Sequence, residues 1–370
     1  MKVLVFGGTR FLGRHLVNTL CAAGHEVTLL NRGRSDPALY PALERLRGDR
    51  DPRAADAANA SHAANAADAG ASQPPTANAL AQLQGRSWDI VFDLTGYVPR
   101  VVRAACDALA GRVGRYVFVS SISVYESSAT PGQDESAPVA RLADPCSEDV
   151  MAHYGALKAA CEREVETVFG AQALLVRPGL IVGPFDPTGR FTYWPLRIAR
   201  GGNVLAPAPA SYPVQVIDAR DLARWMVDAA MAGASGAFNV TGPASPASAA
   251  PATLERVLDD CKAVTSADAR VHWLDADFLL AEGVAPWMDL PLWVGPDDAA
   301  MNQVSVARAV ATGLVTRPLR ETIADTLAWT GSADYRSPVG PYAKVGLPPD
   351  REAELLALWV NRANKTSPAS

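Results

Sequence analysis

The 370-residue sequence predicts an α/β fold, a doubly wound parallel sheet with a smaller C-terminal lobe. Three observations carry that prediction. The chain opens with a short uncharged apolar run followed by a glycine turn. Strand-length apolar runs then alternate with helix-length runs to about residue 183. Beyond it the alternation gives way to proline-broken and aromatic stretches.

Val3-Leu-Val-Phe6 reads as a buried strand, Gly7-Gly8-Thr9-Arg10 as a tight turn, and Phe11 to Ala23, beginning Phe11-Leu12-Gly13, as an amphipathic helix. The strand expected over Gly24 to Asn31 completes a βαβ unit. Such a turn brings backbone N–H groups and the positive end of the helix to one place, which suits the pyrophosphate of a dinucleotide. Residues 7 to 13 are therefore candidate cofactor contacts and the sheet is of Rossmann type. In the spacing Gly7, position 10, Gly13, the middle glycine is replaced by Arg10. That side chain either points away from a cofactor or itself binds a phosphate. The plain alternative is a glycine turn with no ligand, and the residues downstream weigh against it.

Asn31, Arg32 and Arg34 stand where such a fold chooses its dinucleotide. An acid there would accept from the ribose hydroxyls of NAD(H), whereas arginine suits the 2′-phosphate, so NADP(H) is favoured with NAD(H) possible. Gly48-Asp49-Arg50 closes a third strand, with Asp49 a candidate for the adenine amino group. Residues 51–78 are rich in Ala, Asp, Asn, Ser and Pro and lack an apolar stripe, so they read as a mobile insertion. Trp88 to Thr95 is a fourth strand, with Thr95 and Gly96 expected on the nicotinamide side of the crevice. A helix over about 100–110 and a strand over Arg115 to Ser120 follow.

The helix expected over Met151 to Gly170 carries Tyr154 and Lys158, four residues apart and so on one face. A free phenol titrates near pH ~10, too high for proton exchange at neutrality, and a neighbouring ammonium favours the phenolate. Tyr154 is then the acid/base, Lys158 the group that lowers its pKa and holds the nicotinamide ribose, and Ser121, at the end of the fifth strand, the group that orients the substrate oxygen.

These stretches together resemble the extended short-chain dehydrogenase/reductase superfamily, in particular its NAD-dependent epimerase/dehydratase branch. The resemblance rests on Gly7-Gly-Thr-Arg-Phe-Leu-Gly13, Val119-Ser-Ser-Ile-Ser-Val-Tyr125, Tyr154-Gly-Ala-Leu-Lys158 and Arg177-Pro-Gly-Leu-Ile-Val-Gly-Pro184. It implies hydride transfer at a hydroxyl or carbonyl carbon of a small polar metabolite, with Ser121, Tyr154 and Lys158 as catalytic residues, and it suggests a homodimer. It also keeps open a sugar or sugar-nucleotide epimerase or dehydratase with tightly bound cofactor. The glycine-turn and Asn-Arg-Gly variants look like an atypical subgroup that includes chloroplast stem-loop RNA-binding proteins, so a cofactor-sensing or RNA-binding role is a third reading. Sugar-nucleotide members carry an arginine where this chain has Val214, and a later arginine segment where it has Gly295-Pro-Asp-Asp298. Both departures count against a nucleotide-sugar substrate.

A sixth strand at Ala173 to Pro178 is followed by Gly183-Pro184, where the chain leaves the sheet. Residues 1–183 are expected to form the dinucleotide-binding domain and 184–370 mainly the substrate lobe, with about 213–242 returning to the sheet. Tyr125, Arg190 and Tyr193 are candidate substrate contacts. Asp218 and Asp221 read as N-cap and N3 of a helix, a structural use of both. Helices are expected near 254–263, 304–313, 319–329 and 349–361.

Composition bounds the partners. Net charge is −5 and sequence pI about 5.6, with no basic cluster, which makes nucleic acid an improbable ligand. The five cysteines lack a C-x-x-C pair and suit packing thiols in a reduced compartment. With no leader pattern and no apolar run of spanning length, the chain is expected in the cytoplasm and off the membrane. No metal-ligand pattern is present.

Overall fold

The computed structural model describes residues 1–36, 38–53, 79–243 and 252–366. The insertion expected over 51–78 lies almost wholly outside them.

Seven strands form the central sheet. They are β1 (Lys2–Phe6), β2 (Glu26–Asn31), β3 (Glu44–Arg47), β4 (Trp88–Asp93), β5 (Val113–Val119), β6 (Ala173–Pro178) and, after the short strands described below, Gly236–Val240. Their order is β3-β2-β1-β4-β5-β6 with Gly236–Val240 at the far edge, and every pairing is parallel. Strand order reverses between β1 and β4, which opens a crevice beyond their carboxyl ends. The apolar opening of the chain follows from this placement. Val3 and Val5 pack on one face with the helices Leu12–Ala22 and Ala219–Met231, while Leu4 and Phe6 pack on the other with Pro99–Leu109 and Val150–Phe169. A central parallel strand is covered on both sides and has no polar face to show.

A second core fills the lobe, with Trp194, Phe191, Trp293 and Leu290 among its fully buried side chains. Around it run β7 (Leu180–Val182), β8 (Gly202–Pro207), β9 (Pro213–Val214), β10 (Val216–Asp218), then β11, which is the Gly236–Val240 sheet strand, β12 (Ala252–Thr253) and β13 (Ala269–Leu274). The parallel β8–β13 pair and the helix Ala276–Ala281 were not legible in the sequence, and the helix expected over 304–313 shrinks to Ala307–Ala311.

The return of 213–242 to the sheet needs correction. β11 joins it and the helix Ala219–Met231 covers it, but 213–218 does not. β9 pairs antiparallel with β12 and β10 pairs with β7. Pro213 has no N–H for a ladder, and Gln215, between the two strands, turns its amide to the backbone of Val304 instead.

Candidate active site

The glycine turn caps the crevice. Gly7 and Gly8 have φ of 106° and 93°, and a Cβ on Gly13 would lie 2.8 Å from the Gly8 Cα, so the first helical turn packs directly on the loop. Phe11, the residue before the helix, bends to φ 36°, a strained angle for a residue with a side chain. Thr9 and Leu12 are buried and Arg10 is exposed, its charge reaching the Tyr97 phenol. Asn31 sits one layer behind the contact expected of it. Its amide donates to the Gly7 carbonyl at 3.0 Å and its oxygen accepts from Gly33 N at 3.0 Å, which ties the end of β2 to the turn.

Arg32 and Arg34 are exposed, and Arg32 lies 4.0 Å from Asp49. Asp49 also accepts from Asp51 N. Arg47, opposite Asn31 on β3, brings its guanidinium beside Gly33 and so joins the same edge. It escaped sequence reasoning because its strand neighbour is 16 residues away. The cradle and the helix N-terminus fit a dinucleotide.

Tyr154, Ser121 and Lys158 meet at the carboxyl ends of β4 and β5. Asp149 caps their helix, accepting from Met151 N and Ala152 N, and the backbone departs from helix at His153 immediately before Tyr154. Ser121 begins a short turn, accepting from Ser123 N at 3.1 Å and donating to Ser123 Oγ at 3.1 Å. Gly155 lets the helix rest on that turn. A Cβ there would stand 2.0 Å from the Ser123 carbonyl oxygen.

Lys158 is 2% exposed and donates to Gly96 O and Val119 O, each at 2.6 Å, pinning the ends of β4 and β5 together. Its ammonium has three donors, so one remains for a ligand. Burial lowers its pKa from 10.5 to about 8. The expectation that Lys158 lowers the Tyr154 pKa is not met. Desolvation and the neighbouring Tyr97 push Tyr154 up to about 12, against a downward pull from Ser121 and from the charge of Arg190. The main reason is desolvation of the phenol, while the Lys158 ammonium is held by the Gly96 and Val119 carbonyls. Tyr154 is 36% exposed as a whole residue, and Ser121 hydrogen-bonds its hydroxyl.

Thr95 N donates to Asp93 Oδ1 at 3.0 Å and its methyl lies against Gly7. Gly96 is buried under Phe118. Tyr97, one residue beyond these, packs 6.5 Å from the Tyr154 ring and 5.2 Å from the Lys158 ammonium, and it belongs to the site although the sequence reading stopped at Gly96. Beneath them Arg50 pairs with Asp93 at 2.8 Å, and Tyr116 donates to the same carboxylate at 2.8 Å.

The three substrate candidates separate. Arg190 lies at the crevice, over the rings of Trp287 and Tyr342. Tyr125 does not. Its hydroxyl donates to Asn239 Oδ1 at 2.6 Å and accepts from Arg177 at 3.2 Å, a structural tie from the serine turn to β11. Tyr193 is lobe core, packed edge-on to Trp194 and against Gly346, because its helix turns that face inward.

With this geometry in view, the sequence profile of the NAD dependent epimerase/dehydratase family matches residues 3–241. The chain belongs to that family. It is 32% identical over 192 residues to 2-alkyl-3-oxoalkanoate reductase of Stenotrophomonas maltophilia, covering 50% of this chain and 52% of that one. It is 33% identical over 230 residues to 2'-dehydrokanamycin reductase of Streptomyces kanamyceticus, covering 61% and 53%. To the chloroplast stem-loop binding protein of 41 kDa b of Arabidopsis thaliana it is 28% identical over 205 residues, covering 54% and 47%. The chain spans about half the length of these curated relatives. UDP-glucuronic acid 4-epimerase of Bacillus cereus, solved with NAD, superposes with TM-score 0.59 at 14% identity over 90% of this chain and 99% of that one. UDP-glucose 4-epimerase of Thermus thermophilus, also with NAD, gives 0.56 at 18% identity over 90% and 100%. At these identities the likeness shows the fold. Among the described residues no helix is long and apolar enough to cross a membrane, and none form a cluster able to hold a metal ion.

Proposed function

We propose that the chain is an NADP(H)-dependent oxidoreductase acting on a hydroxyl or carbonyl carbon of a small polar metabolite. The observation that carries this reading is the convergence of Tyr154, Ser121 and Lys158 on the strand ends next to the glycine cradle. Residues 7 to 13 would hold the pyrophosphate, Arg32, Arg34 and Arg47 the 2′-phosphate, and the free Lys158 donor a ribose hydroxyl. When bound, the dinucleotide supplies or takes up the hydride. The Ser121 hydroxyl orients the reacting oxygen, and Tyr154 gives it a proton in reduction. With its pKa pushed up to about 12 by burial, the phenol carries the proton that a reduction needs at neutral pH, and its transfer requires that value to fall toward neutrality when the site is filled. The names of the two bacterial relatives, both reductases, support net reduction over an internal epimerase cycle.

The test is Tyr154→Phe. NADPH, titrated by nicotinamide fluorescence, should bind as in the wild type and more tightly than NADH, while kcat falls by about 10²–10⁴. Turnover that survives the substitution sinks the role. Cofactor that stays bound through purification would favour the epimerase or dehydratase cycle.

A further inference from the structure

Half-buried Arg190 has surroundings unlike those of the buried arginines. Arg177, Arg197 and Arg50 each hold a buried carboxylate, from Glu162, Glu352 and Asp93. Arg190 is also removed from much of the solvent, yet among the described residues no carboxylate lies within 4.0 Å of it. Its guanidinium lies 4.5 Å from the Trp287 ring centroid and 5.4 Å from that of Tyr342, and among the described residues its one side-chain hydrogen bond is from Nε to Thr188 Oγ1 at 3.4 Å. The acidic group that acts on it most is the Tyr342 phenol, and the carboxylate that does, Asp186, is committed to Thr188, accepting from its N at 2.8 Å and its Oγ1 at 3.0 Å.

Ring faces therefore position this cation and leave its N–H edge without an anion. Removing an unpaired charge from water is costly, and the cost is recovered when an oxyanion binds that edge. Arg190 lies near enough to the Tyr154 phenol for its charge to act on it.

We propose that Arg190 is the anion-recognition residue of this site, and that the substrate carries a carboxylate or phosphate beside the carbonyl or hydroxyl that reacts at Tyr154. This rests on the reading of Tyr154 as the reacting centre. Trp287, in contact with the guanidinium, is a built-in reporter.

The experiment titrates NADP⁺-loaded protein with two matched pairs, acetoacetate against methyl acetoacetate and dihydroxyacetone phosphate against dihydroxyacetone, following tryptophan fluorescence. In at least one pair the anion should bind ten times more tightly than its neutral partner, and the pair that does so separates carboxylate from phosphate. Arg190→Gln should abolish the preference and Arg190→Lys retain part of it, with NADP⁺ affinity unchanged in both. No preference for either anion, or a preference that Arg190→Gln leaves intact, overturns the proposal. A wild type that binds no dinucleotide sinks the oxidoreductase reading alone, because the same comparison on cofactor-free protein still decides the role of Arg190.

Discussion

Lys158 and Tyr154 are held on opposite sides of their ordinary titration ranges by the same cause. Desolvation disfavours the charged form of each, so the ammonium drops from 10.5 to about 8 while the phenol rises from 10 to about 12. For Lys158 the consequence for stability has a definite sign. Between pH 8 and 10.5 the unfolded chain binds a proton that the folded chain does not, so stability rises with pH across that window. Tyr154 acts the other way, contributing stability below pH 10 that is lost as pH climbs through 12, so the two effects separate at about pH 10. We expect the unfolding free energy of the wild type, minus that of Lys158→Met, to climb by on the order of 2–3 kcal/mol from pH 7 to pH 10. Denaturant melts at four or five pH values measure it, and a flat difference would mean that the buried ammonium is not destabilised. The four-residue spacing of Tyr154 and Lys158 was legible as one helix face. Their electrostatics were not, because the carbonyls of Gly96 and Val119 that capture the lysine belong to other elements 62 and 39 residues away.

At the scale of elements, the site depends on how closely the helix Val150–Phe169 approaches the serine turn. Gly155 sets that distance. On propensity alone Gly155→Ala should stabilise a helix interior by about 1 kcal/mol. The added methyl would stand 2.0 Å from the Ser123 carbonyl oxygen, and a backbone atom cannot rotate away as a side chain can. Overpacking of that kind costs about 1–3 kcal/mol, so the clash wins and the helix must lift from the turn. Because Tyr154 is the adjacent residue, a displacement of about 1 Å would lower kcat by roughly a hundredfold. A thermal melt and a turnover assay on Gly155→Ala check both parts, and an unchanged kcat would show that the phenol does not depend on this contact. Most of the sheet was readable one element at a time, because β1, β2, β4, β5 and β6 are largely apolar runs between turn signals, whereas β3, Glu44-Arg-Leu-Arg47, is marked only by the turn that follows it. The short lobe strands were not. β8 and β13 lie 62 or more residues apart and complete each other, and neither is apolar enough to announce itself.

Across the whole molecule, the sheet domain and the lobe are joined by a charge network that the sequence reading found only in half. Asp218 and Asp221 were legible as capping acids of the helix Ala219–Met231, and Asp218 does accept from Arg220 N. Their second use was hidden, because the partners come from the far end of the chain. Asp221 is fully buried and accepts from Arg317 N at 2.8 Å, Nη2 at 2.8 Å and Nε at 3.1 Å. Asp218 accepts from Thr322 at 2.8 Å, and Arg220 reaches Asp325 on the helix Leu319–Thr330. Burial alone would raise the Asp218 carboxyl, but the hydrogen bonds from Arg220 and Thr322 outweigh it and the net shift is downward. The network is therefore present above the ordinary carboxylate range and lost as pH falls through the lowered value. One helix of this link packs in the sheet core and the other carries Ile323 into the lobe core, so the carboxylates couple two hydrophobic cores. Asp221→Ala leaves the Arg317 guanidinium, which is 18% exposed, without its main acceptor, and breaking a pair this buried costs about 3 kcal/mol. We expect the variant to melt at lower temperature and in two steps, the lobe separating from the sheet domain, while NADPH protection persists in the sheet step. Calorimetry with and without NADPH distinguishes that outcome from a single cooperative transition, which would mean that the cores are coupled chiefly by apolar contact.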